Sequence, residues 1–259
     1  MNMSGKRGLV MGVANDRSIA WGIARALSDA GAELAFSYQG EAFSKRVQPL
    51  AESLGSTVLV DVDVTDEASL DRAFAELADW GRLDFVVHAV AYSDKSELTG
   101  RFVDTSRANF KHSLDISCYS LIEVTRRAMP LMTEGGTILT LTFDGSRRVM
   151  PYYNVMGVAK AALEASVRYL AADLGPQGIR VNAISPGPMK TLAGAAIGGA
   201  RRTFRHAEAN APLRANATLE AVGGTAVWLA SDAGACTTGE VVHVDGGFHV
   251  MGMPQPDNL

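Results

Sequence analysis

Two side chains in the run Met150-Pro-Tyr-Tyr-Asn-Val-Met-Gly-Val-Ala-Lys160 are suited to chemistry. Tyr153 and Lys160 stand seven residues apart in a helix-forming stretch. Seven residues turn a helix through about 700°, some 20° short of two turns, and advance it roughly 10 Å. The phenol and the ammonium therefore share one face. A phenol can donate its proton to a carbonyl oxygen that becomes enolate-like as hydride reaches the β-carbon of a conjugated double bond. An ammonium two turns away can donate to the hydroxyls of a nicotinamide ribose and favour negative charge developing nearby. The same spacing also suits a core tyrosine and a solvated lysine, so the elements around it decide.

Those elements alternate along the whole chain. Strand-like runs fall at Gly8–Gly12, Glu33–Tyr38, Thr57–Asp61, Phe85–Ala89, Gly136–Thr142, Arg180–Ser185 and Val241–Asp245, with helical patterns between them. Such spacing suits crossovers between parallel strands, and the lack of clean polar alternation suits strands covered on both faces. The reading is an α/β fold: one doubly wound domain over residues 1–259, with a seven-stranded parallel sheet. The segment Leu192–Leu213, rich in Ala, Gly and Arg, reads as one or two short helices over a mobile loop. The tail from Pro254 reads as irregular and exposed.

At the first strand-to-helix junction the chain runs Gly12-Val-Ala-Asn-Asp-Arg-Ser18-Ile19-Ala20-Trp-Gly22. A glycine at the strand end permits a tight turn, and small residues at Ala20 and Gly22 permit close packing of helix on strand and ligand. Asn15, Asp16 or Ser18 can cap the helix, whose free N–H groups suit a pyrophosphate. The second strand ends at Gln39, where many NAD sites carry an acid for the adenosine ribose. Lys45 and Arg46 lie too far along to meet a 2′-phosphate and read as helix decoration, which favours NADH over NADPH. After the third strand, Asp63 can accept from an adenine amino group with Val64 beside the ring, and Thr65 or Asp66 can cap the next helix.

Composition bounds the rest. A net charge of −4 with no basic stripe gives no reason to expect nucleic acid. Cys118 and Cys236 lack metal-ligand spacing, so no metal site or disulfide framework is expected. No run is long enough for a signal peptide or a membrane span, and a cytoplasmic protein is expected.

Three further segments complete the picture: Asp84-Phe-Val-Val-His, Arg180-Val-Asn-Ala-Ile-Ser-Pro-Gly-Pro and Val244-Asp-Gly-Gly. They resemble the short-chain dehydrogenase/reductase superfamily, built on the Rossmann fold. Most of its members carry Tyr-x3-Lys, whereas here Gly157 follows Tyr153 by four. The Tyr-x6-Lys pattern, with Gly12-x5-Ser18-Ile-Ala-x-Gly22, Tyr38-Gln39 and Gly187-Pro-Met-Lys-Thr191-Leu-Ala, resembles the bacterial NADH-dependent enoyl-acyl-carrier-protein reductases.

The resemblance implies hydride transfer from NADH to the trans-2 double bond of an enoyl thioester on acyl carrier protein, the last reductive step of fatty acid elongation. It implies catalytic roles for Tyr153 and Lys160. It assigns cofactor contacts to Gly12, Ser18, Ile19, Gln39, Asp63, Val64, Ala89, Ala91, Lys160, Met189 and Thr191. Phe143, Tyr153, Ala91 and Phe204 would face substrate, with residues 192–213 as a substrate-binding loop. A homotetramer is also implied, and apolar residues around Phe110–Met129 and Tyr153–Leu174 agree with one.

Three residues depart from the family pattern. Phe143 stands where a second tyrosine is usual, Pro186 where alanine is common, and Ala91 where glycine is common. Two other readings stay open: a reductase or dehydrogenase acting on a carbonyl or alcohol, and a non-catalytic NADH-binding paralogue.

Overall fold

Apolar, β-branched runs buried on both sides make the strands. The computed structural model describes residues 1–191, 194 and 199–258. Seven strands, β1 (Arg7–Met11), β2 (Glu33–Tyr38), β3 (Val58–Asp61), β4 (Phe85–His88), β5 (Gly136–Leu141), β6 (Ile179–Pro186) and β7 (Val241–Val244), lie in the order β3-β2-β1-β4-β5-β6-β7. Every neighbouring pair is parallel. No expected strand end is displaced by more than one residue.

Alternate side chains of β1 feed two cores. Leu9 and Met11 pack with Leu70 of α3 (Glu67–Trp80), Leu121 of α5 (Ser120–Ala128) and Leu163 of α6 (Asn154–Leu174). Val10 packs with Ile23 and Leu27 of α1 (Ile19–Asp29), Val47 of α2 (Gly40–Ser53) and Val222 of α8 (Leu219–Ala230). Each fully buried aliphatic side chain contributes roughly 1.5–3 kcal/mol, so both helical layers are held by what the strands present. Strand order reverses between β1 and β4, which opens a crevice beyond their carboxyl ends.

Two further helices lie among the described residues: α4 (Arg107–Leu114) and α7 (Ala200–Asn210). A single π-turn, Asp115–Tyr119, joins α4 to α5. Of the expected loop, α7 supplies one helix, while residues 192, 193 and 195–198 lie outside the described residues. The tail is half-buried at Pro254 and Gln255 and exposed over residues 256–258, where it forms one short 3-10 turn. It is tied to α7, because Gln255 donates its backbone N–H to Asn210 Oδ1 (2.8 Å) and its side-chain amide to the Asn210 carbonyl (3.1 Å). No helix among the described residues is long and apolar enough to cross a membrane. Both cysteines are free, Cys118 buried and Cys236 exposed.

Candidate active site

At the crevice, Gly12 has φ 89°, and a Cβ there would run into the Ala89 carbonyl oxygen at the end of β4. Only glycine lets these two strand ends approach so closely. Ser18 is buried, and its hydroxyl accepts from the backbone N–H groups of Ala14 and Asn15, both at 3.0 Å. It therefore shapes the turn but does not cap α1, which starts without a side-chain cap. Asn15 is also not the cap, since its side chain accepts from Arg17 N–H at 2.9 Å. The first turn keeps its N–H groups for an anion. Ile19 packs into the core at this start. Ala20 is buried, but Gly22 serves a different purpose from the one expected: a Cβ there would meet Leu219 of α8, not a ligand (2.8 Å).

Farther along the crevice, Gln39 is exposed at the end of β2. Next to it, Asp61 accepts from Gly40 N–H at 2.9 Å. Asp63 accepts from the backbone N–H of Thr65 (2.9 Å) and from its hydroxyl (2.7 Å). Burial opposes charge on Asp63, but these bonds and the Gln39 amide outweigh it and hold the carboxyl below its ordinary value. Val64 is half-buried, and Asp66 caps α3 through Ala68 N–H at 3.0 Å. Lys45 pairs with Glu41 at 2.8 Å and Arg46 lies over the Phe43 ring, so both basic groups are engaged on α2.

The chemical end lies beyond β4 and β5. Tyr153 immediately precedes α6 as its N-cap residue, seven positions before Lys160. Its neighbours Tyr152 (φ 62°) and Asn154 (φ 31°) are left-handed, each costing on the order of 1 kcal/mol or more. Asn154 anchors the bend by donating to the Glu97 carbonyl at 3.2 Å. Phe143 meets the Tyr153 ring edge-on, with centroids 5.1 Å apart. A Cβ on Gly145 would stand 2.5 Å from the Tyr153 ring, and one on Gly157 would stand 2.7 Å from the Gly145 carbonyl oxygen. Helix and turn are in contact at Gly157, so a lysine could not occupy that position without moving them.

Tyr153 is buried, and among the described residues its hydroxyl has no hydrogen-bond partner. Burial and the Glu164 carboxylate push the phenol well above its ordinary value, so it carries its proton at neutral pH. Lys160 is also buried and donates to the Leu141 carbonyl at 2.8 Å. Burial draws its ammonium down to about 8, against the opposing influence of Cys118 and Glu164. Beneath it, His88 sits between Thr140 Oγ1 (3.1 Å) and Ser120 Oγ (2.8 Å). Burial, then the Lys160 charge, bring His88 to about 3, so this ring is neutral.

The structure thus groups Tyr153, Phe143 and Lys160 at one end and Gly12, Ser18, Ile19 and Ala89 at the turn, with Gln39, Asp63 and Val64 farther out. Ala91 is exposed just past β4. Met189 and Thr191 form a turn in which Thr191 N–H donates to the Met189 carbonyl and Thr191 Oγ1 accepts from Gly194 N–H (both 2.9 Å). Phe204 lies under the Lys190 ammonium, 4.7 Å from the ring centroid, and no contact joins it to Tyr153. Sequence reasoning missed His88, Asn154 and Glu164. It also missed Ser117, whose hydroxyl bridges Tyr92 N–H and carbonyl (both 3.0 Å) from the π-turn. Asn154, inside the Tyr153 motif, and His88, at the end of the Asp84-Phe-Val-Val-His segment, carried a local signal.

A doubly wound sheet with an uncapped helix at its switch point defines a dinucleotide-binding protein, and the tyrosine–lysine pair beside it marks an oxidoreductase of the short-chain dehydrogenase/reductase superfamily. The family model described as enoyl-(acyl carrier protein) reductase matches residues 12–249. Enoyl-[acyl-carrier-protein] reductase [NADH] 1 of Rhizobium meliloti is 59% identical, covering 98% of this chain and 94% of that one. The solved enoyl-(acyl-carrier-protein) reductase of Anaplasma phagocytophilum in complex with NAD is 57% identical at TM-score 0.94, covering 98% and 96%. That of Bacillus cereus, solved with NADP+ and indole naphthyridinone, is 49% identical at TM-score 0.96, covering 98% and 100%. The chain belongs to the enoyl-(acyl carrier protein) reductase family.

Proposed function

We propose that this protein is an NADH-dependent enoyl-acyl-carrier-protein reductase acting on the trans-2 double bond of an acyl thioester in fatty acid elongation. One observation carries the reading: a protonated phenol, without a hydrogen-bond partner among the described residues, stands seven residues before a buried ammonium at the switch-point crevice.

NADH, when bound, supplies the hydride. The crevice fits it: the Gly12 turn and the uncapped start of α1, with Ser18 and Ile19, suit the pyrophosphate. Gln39 suits the adenosine ribose, and Asp63 with Val64 the adenine. Ala89, Ala91, Met189 and Thr191 would line the nicotinamide side, and Lys160 would hold the ribose. Lys45 and Arg46 are engaged elsewhere, so NADH is preferred to NADPH.

Tyr153 donates to the thioester oxygen as charge builds there, and Lys160 stabilises that charge from one side. Phe143 packs the Tyr153 ring edge-on and supplies an apolar wall without a second hydroxyl. Residues 192–213, with Phe204, form the substrate-binding loop. The exposed faces of Phe110, Tyr119 and Tyr169 suit assembly into a homotetramer, and the protein works in the cytoplasm.

Purified protein mixed with NADH and a crotonyl thioester tests the reading. NADH absorbance should fall, and fall faster than with NADPH. Consumption of NADH only with 3-ketoacyl thioesters would favour the carbonyl reductase instead, a reading that the crowding at Gly157 already disfavours. Tight NADH binding without turnover of any enoyl thioester would favour the non-catalytic paralogue.

A further inference from the structure

Glu164 lies one turn beyond Lys160 on α6 and is buried at 7% exposure. Such a carboxylate is costly unless its charge is compensated. Its hydrogen-bond partners are two neutral hydroxyls: Thr142 Oγ1 donates at 2.6 Å, and Ser146 Oγ donates to the same oxygen. Both belong to the turn that carries Phe143 and Gly145 against the Tyr153 ring. Two oppositely charged groups thus sit on one buried helical face, each bonded to neutral partners and one turn apart.

We propose that Glu164 is a positioning residue for the reduction: its carboxylate stabilises the charged form of Lys160 and anchors the 142–146 turn that holds Tyr153. The inference rests on the reductase reading and extends it to a residue outside the tyrosine–lysine pair.

The electrostatic surroundings of both groups support this assignment. Lys160 is faced by His88 from β4, Cys118 from the π-turn and Glu164 from its own helix. His88 is neutral. Glu164 is the one carboxylate in that set. Around Glu164, Arg147, Arg168, Glu240 and His243 line a surface groove on its other side. Arg147, Arg168 and Glu240 are exposed and open to solvent screening, and His243 is half-buried, whereas the path to Lys160 runs through the protein interior, where the same charge acts more strongly.

Glu164→Gln removes the charge and keeps the shape. In the full-length protein, the alkaline limb of the kcat/KM profile against pH should move down by about one unit, giving about fivefold loss at pH 8 and less than twofold at pH 6. NADH affinity, measured by calorimetry, should weaken in the same pH window. Glu164→Asp keeps the charge and should leave the limb at its wild-type pH, with a modest fall in kcat from the lengthened tether. An unmoved limb in Glu164→Gln, or an equal loss at every pH, overturns the proposal. If the glutamine variant does not fold, the aspartate variant decides: a limb displaced from wild type is contrary, and a retained limb agrees. Absence of wild-type turnover would defeat the reductase reading alone, since the pH dependence of NADH affinity still tests Glu164.

Discussion

The two ends of the crevice are built on opposite principles. The nucleotide end works through backbone: a glycine pressed on the Ala89 carbonyl, a serine that bends a turn, an exposed glutamine and a helix start without a cap. The chemical end works through buried side chains whose charge states are displaced by their surroundings, Tyr153 upward and Lys160 and His88 downward. One end recognises a ligand by shape and N–H groups that most sequences could supply. The other depends on a few functional groups that burial makes expensive to keep. Substitutions should therefore separate affinity from rate.

The largest separation is expected at the chemical end. Tyr153→Phe should lower kcat by roughly 10²-fold or more while NADH affinity stays within about twofold, read by steady-state kinetics and calorimetry. A matching loss of affinity would erase the distinction between the two ends.

Next in size is the acid sensitivity of His88. Its folded value of about 3 lies below its ordinary 6.5, so the unfolded chain takes up the proton first as pH falls. The stability that the neutral ring contributes is present above about pH 6.5 and is lost as pH falls toward 3, on the order of 4 kcal/mol in all. Urea unfolding at pH 7 and pH 4 should show this loss, and His88→Gln should flatten it. Lys160 acts in the same direction at higher pH: with a folded value near 8 against 10.5, burial penalises its charged form, and stability rises from about pH 8 to 10.5. Lys160→Met should remove that rise.

Smaller effects should mark the packing that joins the ends. Gly157→Ala should cost about 1–3 kcal/mol and slow turnover, because its methyl group meets the Gly145 carbonyl behind Tyr153. Ser18→Ala should weaken NADH binding by about tenfold at most with kcat almost unchanged, since it loosens a turn but touches no reacting atom. Smallest of all, Phe143→Tyr should alter kcat/KM by less than about threefold, because the existing ring already holds Tyr153 edge-on.

What the sequence disclosed follows the same division. Strand positions were legible because burial on both faces writes continuous apolar runs, and Tyr153 with Lys160 because helical spacing puts them on one face. The Asp115–Tyr119 π-turn was not legible, since one extra residue in a helical turn leaves no clear break in the apolar period. His88 closes the Asp84-Phe-Val-Val-His segment, but its role comes from Thr140 and Ser120, which only the folded chain brings to it. Glu164 belongs to no motif and stands four residues after Lys160, and only the folded chain shows its burial. The tail from Pro254 carries no periodic pattern, yet Gln255 ties it to Asn210. Gly22 was recognised as a close-packing residue, but its neighbour is α8, from nearly two hundred positions downstream.

The account turns on where the hydride goes. With NADH deuterated at the transferable position and a crotonyl thioester, mass spectrometry and proton NMR of the product should find one deuterium on the β-carbon and a solvent-derived proton on the α-carbon. Deuterium on a carbinol carbon from a ketoacyl substrate, or none in any acyl product, would contradict it.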